Sequence, residues 1–254
     1  MSDVPLLSLA IHGAAGRLGA AVLKLALASP ACSVVGVTVS PGSEQLGRDL
    51  GPGEALRYCE VLEPRTMPAE TVVLELSRGD VLPAHARQAA AERWPLVVGV
   101  TGLDGAAEAA LSAAAEQIPV LLAPNFSLGI ALLKRLAQVA GHALGAEFDG
   151  AILDVHHRHK VDAPSGTAQA LAEALGVKGR TVPIVSQRVG EVIGDHTVTF
   201  AGPGERFELR HQAEDRTLFA RGALAAAAFL RGRGAGTYTM DDVLGALGDD
   251  ARAP

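Results

Sequence analysis

The sequence predicts an α/β protein of two domains, a doubly wound parallel sheet with a second α+β domain inserted near its C-terminal end. Three observations carry that prediction. An apolar run passes through a glycine-rich turn into a helical pattern over residues 6–25. Short apolar runs then alternate with helical stretches as far as Asn125, and after Gly145 the alternation gives way to clustered strand-like runs.

Leu6 to His12 (LLSLAIH) reads as the first strand, and Leu18, Val22 and Leu25 recur behind it at helical spacing. The junction GAAGRLG holds Gly13, Gly16 and Gly19, a variant of the dinucleotide fingerprint with Ala15 at the place of the middle glycine. Small residues there let the backbone approach a pyrophosphate, and a helix N-terminus supplies free N–H groups and a favourable dipole. Val34 to Ser40 is the next strand. Where an acidic side chain normally takes the ribose 2′-hydroxyl, this chain has Val39 and Ser40. With no carboxylate to repel a 2′-phosphate, and with Arg17 in the loop, NADPH is expected to serve as well as or better than NADH.

The alternation continues through RYCEVL (57–62), TVVLEL (71–76), a helix near residues 83–94, LVVGVTG (96–102), a helix over 106–117 and VLLAPN (120–125). Apolar, β-branched strands of this kind suit a parallel sheet covered on both faces. Ligands of such sheets sit at the C-terminal ends of the strands, which gathers LSRG, GVTG and APNFS around one crevice. A longer helix from Leu128 to Leu144 follows, with Leu132, Leu133, Leu136, Val139 and Ala140 as its apolar face. Strands are expected at 151–156, 181–187, 196–201 and 207–211, and a last long helix at 217–230. The tail TYTMDDVLGALG is amphipathic and expected to pack back on the first domain. The expected division is residues 1–127 plus 235–254 for a Rossmann-like dinucleotide-binding domain, and 128–234 for substrate binding and oligomerisation.

Composition narrows the function. A 254-residue chain with 48% hydrophobic residues can fill a substantial core, and a net charge of -6 argues against a nucleic-acid binder. The opening MSDVPLL lacks the cationic start and apolar run of a secretory signal, and no stretch has the length of a membrane span, so a cytosolic setting is expected. Cys32 and Cys59, with no CxxC spacing, read as small buried structural residues.

The stretch Asp154 to Thr167 (DVHHRHKVDAPSGT) concentrates the chemistry. His156, His157, Arg158, His159 and Lys160 can all carry positive charge, and a strand delivers them to its end. The segment after them is built like a helix start, with Pro164 suited to a first turn and Ser165 or Asp162 to a cap. The N–H groups of Gly166 and Thr167, the Thr167 hydroxyl and the helix dipole favour an anion. Lys160 is a compact cation beside it, and a histidine there can exchange a proton near neutral pH. One carboxylate fits the helix start and another the cationic side. A metal held by His157 and His159 is opposed by the neighbouring Arg158 and Lys160, so no metal is expected. A solvated charge run and a phosphate or nucleic-acid contact fit less well than a small-molecule anion site.

HHRHKVDAPSGTA, together with GAAGRLG, GVTG and APNFSLG, resembles the 4-hydroxy-tetrahydrodipicolinate reductase (dihydrodipicolinate reductase) family, over nearly the whole chain. The resemblance implies NADPH- or NADH-dependent reduction of a cyclic imine dicarboxylate in lysine and diaminopimelate synthesis, by a homotetramer. It implies His156 as acid/base residue, Lys160 as second catalytic residue and proton donor, His157 as a substrate contact, and Gly166 with Thr167 as the clamp on a substrate carboxylate, with Lys160 and Ser165 also at the substrate. Cofactor contacts implied are Gly13, Ala14, Ala15, Gly16, Arg17 and Leu18; Gly99, Val100 and Thr101; and Ala123, Pro124, Asn125 and Phe126, with Val39 and Ser40 at the ribose. The chain departs from the family pattern in having GVTGL for GTTGF, and Glu75, Leu76 and Ser77 for the DFT-type motif. Other readings of the two-domain plan are a different NAD(P)-dependent dehydrogenase and a nucleotide-binding regulatory module without catalysis.

Overall fold

A computed structural model describes residues 6–51, 56–175 and 181–250. In chain order the elements are β1 (Leu7–His12), α1 (Arg17–Ala28), β2 (Cys32–Thr38), β3 (Tyr58–Cys59), β4 (Val72–Glu75), α2 (Leu82–Ala91), β5 (Leu96–Val98), α3 (Gly105–Ala115) and β6 (Pro119–Leu122). Then come α4 (Leu128–Leu144), β7 (Asp149–His156), α5 (Gly166–Ala174), β8 (Ile184–Arg188), β9 (Asp195–Gly202) and β10 (Glu205–Gln212). The chain ends with α6 (Thr217–Leu230), β11 (Gly236–Tyr238) and α7 (Met240–Asp250). Residues 1–5, which entered the reading of the N-terminus, lie outside the described residues.

Contacts divide the chain into Met1–Phe126 with Phe219–Pro254, and Ser127–Leu218. The sequence placed α6 with the second domain. Here it counts with the first from Phe219 onward, and Gly222 lies so close to the Phe126 carbonyl that a Cβ would stand 1.8 Å from its oxygen.

In the first unit a seven-stranded sheet runs β11-β6-β5-β4-β1-β2-β3, with every pair parallel. Strands β1, β4 and β5 are buried along their whole length, as expected of a doubly wound sheet whose faces are both covered. The core between α2, α3 and the sheet is Leu82, Ala86, Ala89, Trp94, Leu96, Val98, Leu111 and Ile118. Strand order reverses between β1 and β4, which sets the ligand crevice at their C-terminal ends.

In the second unit a four-stranded sheet runs β10-β9-β7-β8, with β7 and β8 parallel and the other pairs antiparallel. Buried and less buried residues alternate along β7 and β9, so one face turns to a core. That core is Leu133, Ala137, Ile152, Ala168, Leu171, Leu175, Val198 and Phe200, drawn from α4, α5 and the sheet.

Three local expectations are corrected. The buried stripe of α4 is Leu133 and Ala137 with Ile130, Ala140 and Leu144, while Leu132, Leu136 and Val139 are exposed; the helix is apolar over more than one face, and the sheet selects one. Cys59 is exposed and Cys32 only half-buried, because β3 and the start of β2 lie at a sheet edge. Pro164 precedes the α5 cap instead of entering its first turn. The tail counts with the first unit, as expected, and adds a strand to it, β11, which pairs with β6 at the far edge.

Candidate active site

The glycine loop lies at the end of β1. Gly13 has a positive φ of 76°, a conformation open to glycine, and its N-terminal neighbour His12 closes the strand. A Cβ on Gly19 would stand 2.2 Å from the Gly13 oxygen, so the third glycine lets the first turn of α1 rest directly on the loop. The cap of α1 is Gly16, with no capping side chain and no acidic residue in the first turn, and Ala15, Gly16 and Arg17 are exposed. These features fit a dinucleotide pyrophosphate: backbone can approach closely and the helix start is uncompensated. Ala14 is buried and its N–H is bonded to the Thr38 carbonyl at 2.9 Å, and Leu18 is half-buried.

The other residues expected at the cofactor stand on the same edge of the sheet. Val39 and Ser40 follow β2, with Val39 turned into the core at 5% exposure and Ser40 exposed. Gly99, Val100 and Thr101 follow β5, and Ala123, Pro124, Asn125 and Phe126 follow β6. Val100, Ala123 and Phe126 are buried, while Thr101 and Pro124 are exposed. The expected cofactor residues of the first unit therefore gather at the C-terminal ends of β1, β2, β5 and β6.

At the reversal point the structure adds a cluster the sequence reading did not assemble. His12 Nδ1 lies 2.8 Å from Thr38 Oγ1, and its ring stacks on His85 with centroids 3.8 Å apart. His85 Nδ1 lies 2.5 Å from Oε2 of the fully buried Glu75, whose other oxygen accepts from the Ser77 amide at 2.9 Å and from the Ser77 hydroxyl. Burial lowers the His12 pKa to about 4, against the pull of Glu75. Burial opposes the charge on Glu75, but the His85 bond and the neighbouring histidines outweigh it and hold the carboxyl below its ordinary value. The two rings lie within 8° of parallel, so their in-plane lone pairs cannot converge on one ion, and the cluster suits proton sharing better than metal binding. Polar residues closing two apolar strands, His12 and Glu75, were the signal available in the sequence.

The second unit holds the chemistry of HHRHK and PSGT. Asp154 is fully buried on β7. It accepts from the Ser165 amide (3.0 Å) and hydroxyl (2.9 Å), from Ser186 Oγ (3.1 Å) and from Arg188 Nη2 (3.0 Å). Burial works against its charge, yet the Ser165 bonds, then Arg188 and His156, bring its pKa down to about 2. His156 Nδ1 stands 2.8 Å from Asp154 Oδ1, and His196 Nε2 stands 3.5 Å from that oxygen. Burial lowers the pKa of His156, with Asp154 opposing and Lys160 and Arg188 reinforcing the shift. In His196 burial brings it to about 4. Arg188 already serves the carboxylate, which disfavours a divalent ion among Asp154, His156 and His196.

Around this centre Lys160 Nζ pairs with Asp162 at 2.8 Å, with its side chain 22% exposed. His157 is half-buried and its ring lies 6.3 Å from that of His159. Ser165 caps α5, accepting from the Ala168 amide at 3.2 Å. Expected at the substrate, it is 2% exposed with its hydroxyl already engaged, so it acts on a ligand through the helix start it holds. Gly166 is exposed and Thr167 half-buried in the first turn. The sequence reading missed Asp154, Arg188 and His196 as members of this site.

A Rossmann-type unit joined to an α+β unit that carries an imidazole, an amine and a helix-start anion site is the plan of a two-domain nicotinamide-dependent oxidoreductase. The family model described as dihydrodipicolinate reductase, N-terminus, matches residues 7–126, and the one described as dihydrodipicolinate reductase, C-terminus, matches residues 129–244. The chain belongs to the dihydrodipicolinate reductase family. It is 39% identical to 4-hydroxy-tetrahydrodipicolinate reductase of Thiobacillus denitrificans, over 93% of this chain and 97% of that one. Against the protein of the same name from Xanthomonas euvesicatoria it is 43% identical, over 92% and 96%. The solved structure of a dipicolinate-bound dihydrodipicolinate reductase from Paenisporosarcina shares the fold, with a TM-score of 0.76 at 22% identity over 92% of this chain and 98% of that chain.

Proposed function

We propose that the chain is a 4-hydroxy-tetrahydrodipicolinate reductase, reducing a cyclic imine dicarboxylate with NADPH or NADH in lysine and diaminopimelate synthesis. The observation that carries this reading is the joining of His156 and the α5 start through the buried Asp154, with Lys160 near enough for its charge to act on the His156 ring. The glycine loop, the start of α1 and the loops after β2, β5 and β6 would hold the dinucleotide, whose nicotinamide supplies a hydride when bound. Every other part is binding and proton handling. The first-turn amides of Gly166 and Thr167, with the Thr167 hydroxyl, receive one substrate carboxylate, and Lys160 and His157 receive the other. Lys160 leaves Asp162 to do so. His156 or Lys160 then delivers the proton that completes reduction of the ring.

NADPH is proposed to serve at least as well as NADH, since Val39 and Ser40 follow β2 where an acidic side chain would exclude a 2′-phosphate, and Arg17 at the start of α1 is exposed. A cytosolic setting fits the two free cysteines. A homotetramer is supported by the second unit's sheet, whose face away from α4 and α5 presents Ala151, Leu153, Val155, Thr197, Thr199 and the exposed Val185.

The test is a coupled assay in which the fresh product of the preceding synthase is offered with each cofactor. Oxidation of NADPH at a rate equal to or above that of NADH is expected. No oxidation of either, under conditions where an established reductase works, would overturn the assignment.

A further inference from the structure

Register pairing sets Ser186 of β8, Asp154 of β7, His196 of β9 and His211 of β10 in one line across the second sheet. This line lies on the face turned to the helices. The next line on that face is apolar: Ile184, Ile152, Val198 and Leu209. A polar line at core depth needs partners, and two helix caps provide them. Ser165 Oγ bonds Asp154 and lies 3.3 Å from His196 Nε2, and Ser127 Oγ, the cap of α4, lies 3.2 Å from His211 Nε2. Burial lowers the pKa of both His196 and His211, so at neutral pH the charges on the line are the Asp154 carboxylate and the Arg188 guanidinium bound to it.

The His156 ring is enclosed by this arrangement. Its Nδ1 stands 2.8 Å from Asp154 Oδ1, off the line of an aligned hydrogen bond but close enough for the carboxylate charge to act on it, and His196 meets the ring edge-on with centroids 5.3 Å apart. At the opposite edge stands Gly194, where a Cβ would lie 3.1 Å from Nε2. Of the charged groups acting on the ring, Asp154 comes from its own strand, Lys160 from the loop beyond and Arg188 from β8, while the neutral His196 comes from β9. Which nitrogen of an imidazole keeps its proton is set by what the other faces.

We propose that Asp154 is the positioning residue for His156, its carboxylate keeping a proton on Nδ1 and leaving Nε2 as the nitrogen that exchanges a proton with substrate. The proposal rests on the reading of His156 as a proton-exchanging group. With the carboxylate neutralised, the ring faces Lys160 and Arg188 without a counter-charge. Its protonated form is then lost at lower pH, and the alkaline limb of turnover follows it down.

The experiment measures kcat and KM against pH, together with the ring tautomer by long-range 1H–15N NMR, in the full chain, in Asp154→Asn and in Gly194→Ala. The Nδ1–H form is expected in the wild type. Asp154→Asn should mix the tautomers, lower kcat at least tenfold with KM changed far less, and move the alkaline limb down by about one pH unit. Gly194→Ala should lower kcat by pressing on Nε2 while the limb stays in place, because the carboxylate is intact. An Nε2–H tautomer in the wild type, or an unmoved limb in folded Asp154→Asn, would overturn the proposal. His156→Ala separates the two claims, since near-wild-type turnover there removes the reading of His156 itself.

Discussion

His156 and Lys160 work from different surroundings. The imidazole is buried at 9% exposure between a carboxylate and a second ring, whereas the amine reaches solvent and is paired with an exposed aspartate. The first is suited to holding a defined proton, the second to swinging from Asp162 onto a substrate carboxylate. His156→Ala and Lys160→Ala are each expected to depress turnover by roughly 100-fold or more, measured in the coupled assay. Near-wild-type turnover in both would remove them from the reaction. Both residues were legible because five chargeable side chains in a row stand out in an alanine- and leucine-rich chain. Asp154 was not, since Leu153 and Val155 alternate with Asp154 and His156 along β7. Sequence alternation shows two faces without showing which is buried, and the chain turns the polar one inward.

Among the elements, α5 ties stability to the site most directly. Its cap, Ser165, satisfies the Ala168 amide and the Asp154 carboxylate with one hydroxyl. Ser165→Ala removes the cap and one of the carboxylate's donors together, and is expected to lower stability by about 2 kcal/mol in denaturant unfolding. Ser165→Thr should restore most of it; a loss within a few tenths of a kcal/mol for Ser165→Ala would show that water replaces both bonds. Helices α4 and α6 were found at the boundaries their long apolar periodicity indicates. Strand β11 was not foreseen, because three residues, GTY, carry no pattern. It exists by pairing with β6, far away in sequence.

Over the whole molecule the two units share a sensitivity to acid. His12 in the first and His196 in the second are buried with pKa values near 4, against 6.5 in an unfolded chain. Between those values the unfolded chain takes up protons that the folded one refuses, so the stability is present above pH 6.5 and lost as pH falls toward 4. Each histidine contributes on the order of 3 kcal/mol to that loss. Asp154, held at about 2 against 3.8, extends it to lower pH. Thermal unfolding followed from pH 7 to 4 should show a steadily falling midpoint, and a level profile over that range would contradict the buried neutral rings.

By itself the sequence determined the doubly wound architecture, the glycine loop and the HHRHK and PSGT segments, because each is written in local spacing: period, turn chemistry and charge run. Only the tertiary structure decided that Asp154, Arg188 and His196 surround His156, that His12 and His85 meet over Glu75, and which stripe of α4 is buried. These depend on strand register and on the face a core covers, and both are set by contacts between residues far apart along the chain.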